Sequence, residues 1–341
     1  MRINIVSEQD LNLWNAIVDA SQHGTIFHRW EWLKIVEKHS KSKLHPLIGF
    51  EGNEPVGILP LFYSRRWLLR MVFSPPLGAA IPTLGPILLN YDEIKPHKME
   101  HIYREFQKQV DHFINSELHP DYVSITTSPG LLDVRPFIWS GYRVTPYYTY
   151  KIDLTTGEAA VWDSFKKKLR SDIKRAEPKG IIVREGTIED IQYLFHSLKE
   201  RYYMQNIGSL ISIEYLYDLF KEFGSRNLWI SVALYNNQTV GAIFLITYKE
   251  TTAIWLGVAK SGLAGLPTND LIQWEAIRWS IKNGCKAFEL IGANTWKLCE
   301  FKSKYSPHLE VYFNAQKSNL LGKLGEQAYL KLFKKSSGPK A

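Results

Sequence analysis

Only two cysteines, Cys285 and Cys299, occur in the 341 residues. Two thiols cannot build a disulfide framework, and neither stands in a Cys-x-x-Cys or Cys/His metal spacing. No uncharged run approaches the ~20 apolar residues that span a bilayer. The opening MRINIVSEQDLNLW has no apolar core of the kind a signal peptide carries. No serine, cysteine or metal constellation marks a route through a covalent enzyme intermediate. A reduced protein of the cytoplasm is the expectation, with contact at the inner membrane face as its one membrane option.

What the chain does contain is apolar and basic. An apolar fraction of 45% with 13% aromatics is ample for ordinary cores, and the length predicts roughly two domains of ~150 residues. The formal charge of +8 favours polyanionic partners: phosphates, RNA or an anionic membrane surface. Part of that excess is local, because residues 317–341 hold six lysines against one glutamate.

Periodicity and turn residues predict a similar order of elements in the two halves. The first half reads as a strand (2–6), helices (8–20, 30–40), a hairpin (45–50 and 56–63), a Pro/Gly-rich loop, a helix (92–116), a strand (122–127), a short helix (131–140) and a strand (142–153). The second half reads as a helix (159–177), a strand (181–185), helices (188–204, 212–223), a hairpin (228–235 and 239–248), a strand (251–258), a helix (269–283) and strands (286–291, 309–315). Both hairpins begin their return strand with Val-Gly, at Val56-Gly57 and Val240-Gly241. The expectation is an α/β (α+β) protein built from two tandem copies of one module. Each module is a mixed, mostly antiparallel sheet flanked by helices. Module one spans 1–150 and module two 151–316, ahead of a basic amphipathic tail, 317–341. In helix 159–177, Trp162, Phe165, Leu169, Ile173 and Ala176 make one apolar stripe, with Lys167, Arg170 and Lys174 among the basic residues elsewhere.

The run Phe165…Lys168-Leu169-Arg170…Ile173-Lys174-Arg175-Ala176…Gly180…Val183 resembles the start of the second module in FemABX-type aminoacyltransferases and the related acyltransferases once named for biotin or cellulose synthesis. Leu271–Ile277, Gly284, Phe288–Gly292 and Phe301-Lys302 continue the resemblance in order, and Ile26-Phe27-His28…Glu31-Trp32-Leu33 is similar to the family's opening helix. The likeness extends to about residue 315 and implies two GNAT-like modules. It also implies transfer of an aminoacyl group from aminoacyl-tRNA to an amine of a cell-envelope, peptide or lipid-linked precursor.

On that resemblance Lys302 stabilises the oxyanion of the tetrahedral intermediate, and Phe301 forms an apolar wall or stacks on adenine. Glu289, at a strand end, is placed to orient or deprotonate the amine. Arg170, with Lys174 and Lys167, would hold phosphate; Trp32 and Tyr203 complete the candidate substrate contacts. Each has a plainer alternative: core packing for Phe301 and Tyr203, a loop hydrogen bond for Glu289, a solvated face for the basic helix. His28 reads as a satisfied, semi-buried histidine. One departure is that the family's phosphate-gripping lysine aligns to Val36.

Two further readings are open. The first is acetyl-CoA-dependent transfer to an amine or amino sugar of surface polysaccharide. Its pyrophosphate loop would be 259–267, where Gly262 and Ala264 fit the pattern and Ala259 replaces the usual Gln or Arg, with Gly262 and Gly265 as the candidate cofactor contacts. The second is a non-catalytic RNA- or membrane-binding protein. The tail 317–335 fits either a membrane surface or a protein surface.

Overall fold

The structure, a computed structural model, describes residues 1–204, 211–224, 226–259 and 267–334. The chain divides into two compact units, Met1–Tyr147 with Val311–Ala341 and Tyr148–Glu310.

In the first unit, β1 (Arg2–Ile5), α1 (Leu11–Ala20) and α2 (Trp30–Ser40) precede the hairpin of β2 (Lys43–Glu51) and β3 (Glu54–Arg66). Next come β4 (Leu69–Ser74), β5 (Ile87–Leu88), α3 (Pro96–Phe113), β6 (Tyr122–Thr126), α4 (Arg135–Trp139) and the start of β7 (Arg143–Asp153). The sheet order is β1-β2-β3-β4-β6, closed by β13 (His308–Ser318), with β5 beside β3. Met99, Ile102, Tyr103, Phe106 and Val110 fall on one side of α3 and pack on Leu47, Leu59 and Val123 of the sheet.

The second unit begins in the later part of β7 and continues through α5 (Glu158–Ser164), α6 (Lys167–Ala176), β8 (Ile181–Glu185), α7 (Asp190–Met204) and α8 (Ile213–Phe223). It is completed by β9 (Leu228–Tyr235), β10 (Gln238–Tyr248), β11 (Thr251–Ala259), α9 (Thr268–Lys282), β12 (Ala287–Leu290) and α10 (Trp296–Lys302). Its sheet runs β8-β9-β10-β11-β12-β7. The chain then enters β13 and ends its described part in α11 (Leu320–Lys334).

The two sheets follow one plan. Each has a run of four antiparallel strands, the last with one parallel neighbour: β4 beside β6, and β11 beside β12. An antiparallel strand closes each sheet, β13 on β6 and β7 on β12. The Val-Gly pairs mark the same irregularity in both hairpins. The register skips Val56 opposite Gly49/Phe50 and skips Val240 beside Thr239/Gly241, so each valine is the extra residue of a β-bulge. Asn236 and Asn237 both take positive φ, forming the two-residue turn that matches strand twist.

The structure departs from the sequence expectations in four places. Helix 159–177 is two helices, because Phe165 adopts an extended ψ of 148° and inserts between Trp274 and Tyr305, with ring centroids 5.4 and 5.2 Å away. The apolar spacing survives the break, which is why periodicity alone reads one helix. β4 was unread because it follows β3 after only Trp67 and Leu68, in a run without turn residues. The short α10 was unread because Trp296 and Leu298 are exposed and make no apolar stripe. Residues 311–316 join the first unit, since β13 pairs with β6 from Asn314↔Thr126 to Ser318↔Tyr122.

α11 is held by its cap. The Asn319 side chain accepts from Gly322 N at 2.9 Å and donates to Asp121 Oδ1 at 2.8 Å. A Cβ at Gly322 would overlap the Asp121 carbonyl. Gly322→Ala is therefore expected to detach the first turn of α11, read as faster amide exchange over 320–327 with the remainder of the first unit still protected.

Candidate active site

The candidate site of the second unit lies where a parallel strand pair parts. β12 pairs with β11 only from Thr251↔Ala287 to Ala253↔Glu289, whereas β11 stays paired with β10 as far as Gly241↔Ala259. Beyond Leu290 the chain turns away through Gly292, at φ +87°. The later part of β11 thus has backbone groups that β12 does not pair. One of them, Gly257 O, accepts from Arg201 of α7 at 3.2 Å.

Lys302, at the end of α10, returns to this point. Its ammonium donates to Ile291 O at 2.5 Å and Gly292 O at 2.7 Å, with Leu290 O at 3.5 Å. Three carbonyls at a strand exit match the three donors of an ammonium. A Cβ at position 292 would sit in ordinary contact with Lys302 Nζ, 3.9 Å away, so what holds glycine there is the positive φ. Burial pulls the Lys302 pKa down to about 8; Cys299 and Glu289 partly offset this, and Arg201 adds to it.

Glu289 faces the same site. Burial pushes its carboxyl pKa up, and the 2.8 Å hydrogen bond from the Thr149 hydroxyl of β7 works against that shift. Tyr150, opposite Leu290 across the β12–β7 pair, has its phenol pKa raised by burial and by a hydrogen bond with Cys299. Sequence reasoning missed Thr149, Tyr150, Arg201 and the part of Cys299. Thr149 and Tyr150 lie in a strand ~140 residues before Glu289, and only cross-strand register shows the proximity.

The other sequence candidates separate. Phe301 packs on the second unit's core, edge-on to Tyr305, with Lys304 Nζ 3.9 Å from its ring centroid. It is a wall beside Lys302, and the stacking partner it has is a protein cation. Arg170 pairs with Asp163 at 2.9 Å, and Lys174 lies 5.9 Å over the Trp162 ring. Lys167 opens α6 and is exposed. The break before α6 is tied to the segment after Lys302, since Lys166 N donates to Lys304 O at 2.9 Å.

Trp32 requires correction. It is fully buried in the first unit and edge-on to Phe27 at 5.0 Å, so it has no surface to offer a substrate. Val36 is likewise fully buried. Tyr203 is exposed at the end of α7. His28 is buried, with Nε2 against Leu84 O and Gly85 O, as a structural histidine should be. Gly262 and Gly265 lie outside the described residues.

Residues 163–303, which include Arg170, Arg201, Glu289, Cys299 and Lys302, match a family model described as an acetyltransferase (GNAT) domain. The second unit is accordingly an acyltransferase domain. No curated protein matches the chain by sequence. Among solved structures, the chain is similar to FemX, with TM-score 0.69 and 9% identity over 92% of this chain and 97% of that one. It is also similar to the C-terminal domain (DUF2156) of a putative lysylphosphatidylglycerol synthetase from Agrobacterium fabrum, with TM-score 0.56 and 13% identity over 94% and 96% of the two chains. A tandem GNAT protein from the clavulanic acid biosynthesis pathway gives TM-score 0.55 and 9% identity over 93% and 98%. At these identities the likeness is one of fold. The fold of the chain is thus shared with these acyltransferases, and the acetyltransferase (GNAT) domain itself is matched over residues 163–303.

Proposed function

We propose that the protein is a FemABX-like N-acyltransferase that moves an aminoacyl group from aminoacyl-tRNA to an amine of a cell-envelope or peptide precursor. The observation that carries this reading is the placement of the Lys302 ammonium and the Glu289 carboxyl together at the end of β12, beside the parting from β11. An amine attacking the ester carbonyl forms the C–N bond and places negative charge on the carbonyl oxygen. Lys302 offers that oxygen the donor it holds least firmly, the one 3.5 Å from Leu290 O. Glu289, in its ionised form, accepts the proton the amine gives up. Collapse breaks the C–O bond, and the proton held by Glu289 passes to the leaving oxygen, so the tRNA departs with its hydroxyl and Glu289 returns to its ionised form.

The exposed basic residues of α6 support a phosphate-rich donor, because that helix starts against the segment following Lys302. The buried Val36 stands where a lysine would grip a nucleotide-linked muropeptide, and of the two lysines that could substitute, Lys34 pairs with Glu37 at 2.6 Å and Lys38 is exposed. A different amine-bearing envelope or lipid-linked acceptor is favoured.

The GNAT match supports acetyl-CoA as the alternative donor, with an amine or amino sugar as acceptor. Parallel titrations with aminoacyl-tRNA, bare tRNA and acetyl-CoA separate the two. The expected outcome is saturable binding that prefers the aminoacyl ester over bare tRNA and weakens with salt. Binding of acetyl-CoA alone would overturn the tRNA reading. Among the described residues no helix is long and apolar enough to cross a membrane. Peripheral contact through 317–335 at the inner face belongs to this reading and would suit a lipid-linked acceptor.

A further inference from the structure

The β3–β4 turn is built against ordinary turn chemistry. β3 ends at Arg66 and β4 starts at Leu69, so Trp67 and Leu68 alone form the loop. Trp67 holds φ +56°, a region that favours glycine or asparagine and penalises a bulky aromatic. It gains almost no burial in return, being 96% exposed, with Leu68 76% exposed. A strained tryptophan held out in water is a functional signature more than a packing one.

Its surroundings define what it meets. Arg65 and Arg66 flank the tip and are exposed, and Arg65 stands across the ladder from Arg70. Leu69 abuts Gly325 of α11, which brings that helix against the hairpin. The Asp121 carboxylate fixes the arrangement, accepting from Arg70 N at 2.9 Å and from Asn319 Nδ2 at 2.8 Å. The first two turns of α11 leave Leu320, Leu321 and Leu324 exposed beside Lys323. The acid in this stretch, Glu326, is engaged by Arg143 at 3.4 Å.

We propose that the Trp67–Leu68 tip and the start of α11 form one membrane-docking surface that inserts into the headgroup region of an anionic phospholipid bilayer. Tryptophan and leucine supply interfacial insertion, and the arginines and lysine supply attraction to anionic lipid. The same arginines disfavour a second copy as occupant, since like charges would meet. RNA would leave the five apolar side chains uncovered. The surface lies wholly in the first unit. It gives the tail contact a second anchor and does not depend on the acyl donor.

Flotation of the full chain with phosphatidylcholine vesicles, with and without phosphatidylglycerol, tests it at low and high salt. Flotation is expected only with phosphatidylglycerol, weakened but not abolished by salt. The exposed-tip variants W67S/L68S and R65E/R66E should each lower vesicle affinity by roughly tenfold or more. Thermal melts and donor binding should match the unaltered chain, so failure here is separable from failure of the proposed activity. Absence of flotation, or flotation unchanged in W67S/L68S, overturns the proposal. A dimer in sedimentation equilibrium that W67S/L68S dissolves assigns the surface to a second copy instead, and equally overturns it.

Discussion

Replacing Lys302 by methionine lowers acyl-transfer turnover by about 100-fold or more, in line with the loss of one donor at a developing oxyanion. Methionine keeps the length and apolar stem but has no charge. Two effects on stability oppose one another. The native state no longer holds a cation whose burial draws its pKa down to about 8, but the Ile291 and Gly292 carbonyls lose their donor. The melting temperature is therefore expected to move only slightly while turnover collapses. Turnover close to the unaltered rate would remove Lys302 from the mechanism.

The pH profile carries the same test. If the cation is the working form, the rate falls as pH rises through about 8, the value to which burial brings Lys302. A rate that climbed through that range would make the amine a base. Stability moves the other way. The native pKa lies below the unfolded value, so the unfolded chain binds more protons between about 8 and 10.5, and this residue's contribution to stability rises with pH across that window. Opposite trends in rate and stability cannot come from general alkaline unfolding.

The largest stability loss is expected for Asp121→Ala. Asp121 is 3% exposed and joins three segments of the first unit. Its carboxylate accepts from Arg70 N and Nε, at 2.9 and 3.3 Å, and from Asn319. Arg70 is partly solvated, which reduces the value of the ion pair. The unsatisfied amide and freed α11 cap remain, for a cost of about 2–3 kcal/mol. A differential scan should show the first unit melting several degrees lower. The hydrogen bond from Arg70 holds the carboxyl pKa at about 2 against an ordinary 3.8. Its stabilisation is fully present above 3.8 and lost as pH falls through that interval. Asp121→Asn should accordingly flatten the acid limb of the stability curve; an unchanged acid limb would deny Asp121 this part.

The sequence made the repeat legible because Val-Gly and its neighbours are local. A hairpin with a bulge writes itself into about twenty contiguous residues, so the tandem architecture could be read from them. Lys302 and Glu289 were legible as residue types at strand and helix ends, and the structure brings them together. Trp32 was misread because a helix's apolar face and a substrate wall use the same residue, and only burial separates them. Thr149, Tyr150 and Arg201 were illegible for a different reason. Their proximity to Lys302 is set by strand register and by where α7 ends, neither of which leaves a local pattern.

The closing strand of the first sheet is made late in the chain. The second unit is continuous from Tyr148 to Glu310, but the first must wait for β13. On a ribosome, the β6 edge therefore stands open while about 190 residues are added, roughly ten to forty seconds at ordinary elongation rates. An open edge invites pairing with a foreign strand. The nascent chain thus passes through a stage in which its catalytic half can close before its amino-terminal half is sealed. A stop codon before β13 would leave that amino-terminal edge exposed for good, which makes quality control by chaperones a more pressing matter for the early half of this protein than for the half that does the chemistry.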